Sequence, residues 1–230
     1  TEQSVCPDCC NFPKEQNWTM NISPTPKSAI RINRGSPCYP PRLYDLYDPP
    51  ASLYIYGNID LLKMPMIAIV GSRNASLEGL KNARLFAQAL SKAGAMIVSG
   101  LAKGVDSAAH QATIELGPMH YTSAILGTGI DIVYPRQNMA LSKSIGQEGL
   151  LISELPPGEG PKACHFPRRN RLIAALAHGV VVIEAAEKSG SLITARIASD
   201  LGREVFALPG SIHNVNSAGC HLLIQQGAKL

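Results

Sequence analysis

From Met66 onward, short apolar runs alternate with stretches whose apolar residues recur at helical spacing. Met66–Val70 is a continuous apolar run that predicts a strand and is followed by the turn Gly71-Ser72-Arg73. Ala83, Phe86, Ala87 and Leu90 then share one helical face, and Gly94 suits a helix C-terminus. Met96–Ser99 predicts the next strand, and Asp106 is placed to cap a helix running to about Leu116. Further strands are predicted near Ser123–Leu126, Leu150–Ser153, Val180–Ala185 and Glu204–Leu208, with helices near Asn138–Glu148, Arg169–Ala177, Leu192–Leu201 and Ala218–Gln226. Strands apolar on both sides need cover on both sides, so the pattern predicts an α/β, Rossmann-like three-layer fold around a mostly parallel sheet. Right-handed crossovers place the strand-to-helix turns at one edge of that sheet, where helix N-termini meet a ligand.

The first 63 residues read differently, being rich in Pro, Asn, Tyr and Cys with little periodicity. Tyr39-Pro40-Pro41 and Asp48-Pro49-Pro50 favour extended or turn conformations, because proline fixes its own φ and restricts its predecessor. Residues 1–38 are therefore expected to be an irregular N-terminal segment, the first thirty without fixed structure, and residues 39–230 one domain with its lead-in. Thr1–Met20 lacks the basic start and apolar centre of a signal peptide, and no apolar run is long enough to cross a bilayer. The expectation is a cytoplasmic protein that does not bind membranes. Cys6-Pro7-Asp8-Cys9 has metal-knuckle spacing, but no matching second pair follows. A zinc site would have to recruit Cys38 and a histidine, and an unliganded tract is the preferred reading.

A net charge of +4 is too small to imply a polyanionic partner, so local clustering must carry that case. Lys162, Arg168, Arg169 and Arg171 fall in one short stretch that also holds Phe166 and Asn170. Single-stranded nucleic acid needs cations for its backbone and a flat surface for an unpaired base, and this segment has both. Core packing explains Phe166 equally well, and surface ion pairs could occupy some of the arginines. The strand-end turns add Gly71-Ser72-Arg73, Ser99-Gly100 with Lys103, Gly127-Thr128-Gly129 and Ser189-Gly190-Ser191. Each alone is explained as a tight turn; together on one edge they would form an anion-binding trough. Neither a dinucleotide fingerprint nor a P-loop is present, so no cofactor is expected.

In order along the chain, Asp48-Pro-Pro-Ala-Ser-Leu-Tyr54, Val70-Gly-Ser-Arg73, Ser99-Gly-Leu-Ala-Lys-Gly-Val-Asp106, Tyr134-Pro135 and Ile152-Ser-Glu-Leu-Pro156 are followed by Phe166-Pro-Arg-Arg-Asn-Arg-Leu-Ile173, Ser189-Gly-Ser-Leu-Ile-Thr-Ala195 and Gly202-Arg-Glu-Val-Phe-Ala-Leu-Pro-Gly210. This ordered set resembles the DprA/Smf family of DNA-processing proteins over roughly residues 39–230. The resemblance implies single-stranded DNA binding, a homodimer, protection of incoming DNA during natural transformation, and loading of the recombinase RecA. It also implies that Gly71, Ser72 and Arg73 contact phosphate and that Phe166, Arg168, Asn170, Arg171, Ser189 and Gly190 share the DNA pocket. Thr1–Arg34 carries no helix-hairpin-helix signature of the kind found at the N-terminus of some members. Leu222, Leu223 and Ile224 suit either a subunit interface or a core-facing helix.

No catalytic constellation emerges. Asp106 and His110 lie four apart, which fits a capping aspartate and a packed histidine better than a metal or acid/base pair. Glu154 and Glu184 are expected to bond backbone N–H groups rather than form a carboxylate pair. Two other readings remain: a nucleotide phosphoribohydrolase of the lysine-decarboxylase-like group, and a carrier domain that holds a mononucleotide unreacted. The first is weakened because Ser189-Gly-Ser-Leu-Ile-Thr-Ala-Arg196 lacks that group's glycine-rich turn and glutamate.

Overall fold

The computed structural model describes residues 28–230. Its strands are β1 (Ile30–Asn33), β2 (Ser52–Gly57), β3 (Met66–Val70), β4 (Met96–Ser99), β5 (Thr122–Ile125), β6 (Leu150–Ser153), β7 (Gly179–Val182) and β8 (Glu204–Ala207). Its helices are α1 (Leu77–Lys92), α2 (Val105–Ile114), α3 (Met139–Glu148), α4 (His165–Leu176), α5 (Gly190–Asp200) and α6 (Ala218–Gln225). The eight strands form one sheet in the order β1-β2-β6-β5-β4-β3-β7-β8. The six strands from β6 to β8 are parallel, and β2 joins β6 antiparallel, as β1 joins β2.

Alternation along the parallel strands shows why the protein needs three layers. On β3, Ala68 and Val70 enter one core while Ile69 enters the other. On β7, Val180 and Val182 face the first and Val181 the second. The first core is closed by α4 and α5, through residues such as Leu172, Ile173, Leu192 and Ala195. The second is closed by α1 and α2, through Ala83, Ala87, Val105 and Ala109. The small residues on α1 and α2 let those two helices pack closely. Leu223 is buried in the first core and Ile224 packs against it, so this part of α6 faces inward.

The sheet starts earlier than the boundary expected at residue 39. β1 pairs antiparallel with β2, with Ile30 opposite Ile55 and Asn33 opposite Ser52. In β2 the pattern alternates, with Leu53 and Ile55 fully buried and Tyr54 and Tyr56 partly covered. The expectation for residues 1–27 and the Cys6/Cys9 pair lie outside the described residues. Cys38, Cys164 and Cys220 are free thiols, and no cluster of metal-ligating side chains occurs among the described residues. No described helix is long and apolar enough to cross a membrane.

A polar layer lies inside the second core. His110 is wholly buried, its Nδ1 sits 2.6 Å from Thr122 Oγ1, and burial holds its pKa down to about 3. An unfolded histidine titrates near 6.5, so the unfolded chain takes up a proton that the folded one refuses as the pH falls below that value.

Two stability measurements follow. Leu53→Ala should cost about 2–5 kcal/mol in urea unfolding, because β2 is core rather than lead-in; a loss below about 0.5 kcal/mol would place it outside the core. His110→Gln should flatten the fall of stability on acidification, which reaches up to about 1.4 kcal/mol per pH unit between pH 6.5 and 3 in the parent. Identical slopes in parent and variant would assign the acid sensitivity to another group.

Candidate nucleic-acid interface

Strands β3 and β7 are neighbours, with Ile67 opposite Gly179 and Val70 opposite Val182, yet the helices that follow them leave to opposite faces. The sheet therefore opens a crevice at its carboxyl edge, where strand order reverses. A cleft of about 460 Å³ occupies that position. One wall is Gly71, Ser72, Arg73 and Asn74 after β3; the other is Ala186, Lys188, Ser189, Gly190 and Ser191 leading into α5. Asp106, Arg169 and Asn170 contribute to the floor, with Asn216 at one end.

The floor is built on two buried charged residues, Arg169 and Asp106, each hydrogen-bonded to loop backbone. Arg169 is 5% exposed, and its Nη1 donates to Gly100 O at 2.6 Å and to Ile125 O. Asp106 accepts from Gly100 N at 3.0 Å and from Ala102 N at 3.3 Å. Burial pushes the Asp106 carboxyl up while the Arg169 charge pulls it back. Burial likewise lowers the Arg169 pKa to about 10 against the opposing pull of Asp106. The guanidinium fits because residue 100 is glycine; a Cβ there would sit 2.6 Å from Arg169 Nη2. Between these contacts Leu101 holds φ +56°, a conformation a leucine adopts only when its surroundings fix it. Asn138 Nδ2 supplies one such restraint, donating to Leu101 O at 2.8 Å.

Asp106 is thus not the cap expected of it. It is the second residue of α2, Gly104 holds the cap position, and the carboxylate gathers the preceding loop instead. Arg169, Ser99 and Gly100, all expected to face the ligand, are buried. Ser99 is fully buried with its hydroxyl donating to Ile69 O at 2.6 Å. Helix α4 starts at His165, four residues before the expected start, so Arg169 falls on its apolar face with Ile173 and Leu176.

The rest of the basic cluster is paired with carboxylates of the chain. Lys162 Nζ lies 2.5 Å from Glu159 Oε1, which raises the pKa of the lysine and lowers that of the glutamate. Arg168 Nε lies 3.3 Å from Glu154 Oε1, and Arg171 Nη2 lies 2.5 Å from Glu154 Oε2. Arg171 also donates to Asp48 O at 2.7 Å, tying α4 to the loop before β2. Burial pushes the Glu154 carboxyl up, and both arginines counter it. Glu184 does bond backbone N–H, as expected: it accepts from Ser76 N at 2.9 Å and Ser76 Oγ at 2.5 Å at the start of α1. Glu154 serves the two arginines instead.

The cations left over are informative. Among the described residues, no carboxylate lies within 4.0 Å of Arg73, Lys103 or Lys188. Arg73 and Lys188 are exposed on opposite walls of the cleft. Lys103 is exposed next to Gly104, whose backbone packs against the carbonyls of Ser72 and Arg73. Asn170 joins the two halves: its Oδ1 accepts from Arg169 Nε at 3.1 Å and its Nδ2 donates to Gly190 O at 3.1 Å. At the start of α5, Ser189 accepts from Ser191 N through its Oγ and from Leu192 N through its carbonyl. Phe166 is half-buried beside the cleft, with the Arg73 guanidinium 5.8 Å from its ring centroid. Its ring lies over Gly127, where a Cβ would come within 2.8 Å of Phe166 Cδ1.

Residues 31–230 match the family model described as DNA recombination-mediator protein A. The DNA processing protein DprA of Streptococcus pneumoniae is 51% identical over 193 residues, which is 84% of this chain and 67% of that protein. The chain belongs to the DprA/Smf family. The Escherichia coli protein Smf is 46% identical, over 86% of this chain and 53% of its own length. The chain thus spans about two thirds of the one DprA/Smf relative and half of the other. The X-ray structure of the pneumococcal protein superposes with TM-score 0.84 at 48% identity, covering 89% of this chain and 71% of that one. A structure of DNA processing protein A from Helicobacter pylori, whose subject is its single-stranded DNA binding mode, superposes with TM-score 0.80 at 32% identity. It covers 88% of this chain and 89% of that one.

Sequence reasoning missed Lys188, Asn74 and Asn216 in this DprA/Smf cleft. Asn216 Nδ2 donates to Asn74 O at 3.1 Å, a contact across 142 positions that no local pattern reveals. Lys188 could have been found, since it directly precedes the Ser189 turn already singled out.

The buried guanidinium in the floor gives a sharp expectation. Arg169→Met leaves the buried carbonyls of Gly100 and Ile125 without this donor and removes the positive charge that lowers the Asp106 pKa, and should cost about 1–3 kcal/mol in urea unfolding. A variant as stable as the parent would mean that Arg169 does not organise the floor.

Proposed function

We propose that this domain binds single-stranded DNA across the β3/β7 crevice and acts by holding the strand rather than by reacting it. One observation carries the reading. Arg73, the start of α5 and the Phe166–Asn170 turn of α4 converge on one cleft, and its exposed cations Arg73 and Lys188 have no carboxylate partner within 4.0 Å. A backbone phosphate would supply the missing charge. Gly71, Ser72, Ser189, Gly190 and Ser191 line the same space with small side chains, so a polyanion can approach main-chain N–H groups closely. Phe166 offers the aromatic surface that an unpaired base needs.

The remaining cations have graded roles. Arg73, Lys103 and Lys188 meet phosphates directly. Lys162 and Arg168 share their charge with Glu159 and Glu154 and add a weaker contribution at the approach to the cleft. Arg171 and Arg169 hold the framework. Recognition is largely independent of sequence, because phosphate and stacking contacts read no base edge. The carboxylates that a hydrolase would need are committed elsewhere, Glu184 to the start of α1 and Glu154 to its two arginines. Family membership supports the wider role: a cytoplasmic homodimer that protects incoming DNA in natural transformation and helps load RecA onto it.

Fluorescence anisotropy with a labelled oligonucleotide tests the proposal. Affinity should favour the single strand over the duplex and fall with salt by a slope of about −0.7 per phosphate neutralised. Phe166→Ala should cost about 1–3 kcal/mol of binding, and Arg73→Ala should weaken binding and shallow the salt slope. An Arg73→Ala variant that binds like the parent at low salt, or release of free base from nucleoside monophosphates by the purified protein, would overturn it.

A further inference from the structure

We infer that Tyr134 provides a second base-stacking surface, set beside Phe166 at the mouth of the cleft. The inference rests on the single-strand reading above and names an additional residue that the strand touches.

The two rings form a short ledge. Their centroids are 5.4 Å apart and their planes are tilted by 40°. That separation leaves no room for a base between them, so a base must lie on an outer face. Phe166 is hemmed in. It covers Gly127, where even a Cβ would come within 2.8 Å of its ring, and it has Arg73 at 5.8 Å and Tyr134 itself as further neighbours. Tyr134 is 47% exposed and carries more of the open aromatic surface. An exposed ring beside Phe166, which itself lies against the Arg73 guanidinium, is the arrangement that sequence-tolerant stacking requires.

The ledge is also held in place before any ligand arrives. Thr128 Oγ1 donates to Ile132 O at 2.6 Å, closing the turn that leads to Tyr134. Gly129 N donates to Glu159 O at 2.7 Å and Gly158 N donates to Asp131 Oδ1 at 2.9 Å, tying that turn to the loop after β6. Asn138 N donates to Pro135 O at 3.0 Å on the other side. A ring presented on a braced loop loses little conformational freedom on binding, so its stacking energy appears as affinity. The occupant is a nucleobase of the bound strand, next to the one that Phe166 meets. Any base will serve, since each has a π-face.

The test compares anisotropy titrations of the parent, Tyr134→Ala, Tyr134→Leu and Tyr134→Phe on an ordinary single strand and on one of equal length built from abasic nucleotides. The Ala and Leu variants should bind the ordinary strand roughly 5- to 150-fold more weakly, and the Phe variant should stay within about twofold of the parent. On the abasic strand all four should agree. The Leu variant keeps an apolar side chain against Phe166, so weakening shared by Ala and Leu but spared by Phe points to the aromatic ring. Parental affinity in both Ala and Leu, while Arg73→Ala loses binding, would overturn the role of Tyr134 and leave the single-strand reading standing. Equal weakening on both strands would also overturn it, because the residue would then act on the backbone or on the loop. A parent that does not prefer the single strand would sink the underlying reading instead.

Discussion

The candidate site depends on two buried charged residues, Arg169 and Asp106, which hold the loops beneath it through hydrogen bonds to their backbone. Asp106 gathers the backbone of Gly100 and Ala102, and Arg169 reaches the carbonyls of Gly100 and Ile125. Two charges taken out of water are costly unless they satisfy each other and their remaining hydrogen-bonding groups. Here opposite charge nearby and hydrogen bonds to loop backbone offset that cost, and they fasten the ends of β4 and β5 to the N-terminal half of α4. The same half carries Phe166 outward and, through Asn170, grips the start of α5. A cation that the sequence offers as a ligand for phosphate is thereby a structural rivet. The surface above it is left to side chains that keep their charge unpaired.

Most of the fold was legible because its strands are apolar on both faces and its turns fall at glycine and serine. Met66–Val70, Met96–Ser99 and Leu150–Ser153 coincide with β3, β4 and β6. The antiparallel strands were not recognised. Proline-rich surroundings and tyrosines masked the alternation of Leu53 and Ile55 with Tyr54 and Tyr56, although that period of two was present. β1 offers only four residues, with Ile32 alone fully turned to the core.

The site was legible as a set of turns but not as a distribution of charge. Arg168, Arg169 and Arg171 look alike in the sequence, yet Arg168 and Arg171 pair with Glu154 while Arg169 is buried and donates to the carbonyls of Gly100 and Ile125. Helical spacing from His165 would have separated Arg169 from the other two by placing it with Ile173 and Leu176. An expected start at Arg169 concealed that face. The partners Glu154 and Glu159 sit on a different loop, where only the folded chain brings them to bear. Basic clusters therefore overstate the charge available to a ligand wherever acidic residues pack against them.

The position of the cleft between β3 and β7 has a consequence for the chain as a whole. Its walls come from segments more than a hundred residues apart, and they face each other only because Gly179–Val182 docks alongside Ile67–Val70. Half of the protein can be made, and even collapse, without creating any binding surface. The proposed capture of a ligand there would depend on the completed sheet. Occupancy of the crevice in turn favours the finished fold over every partly assembled one, in proportion to how tightly the ligand is held.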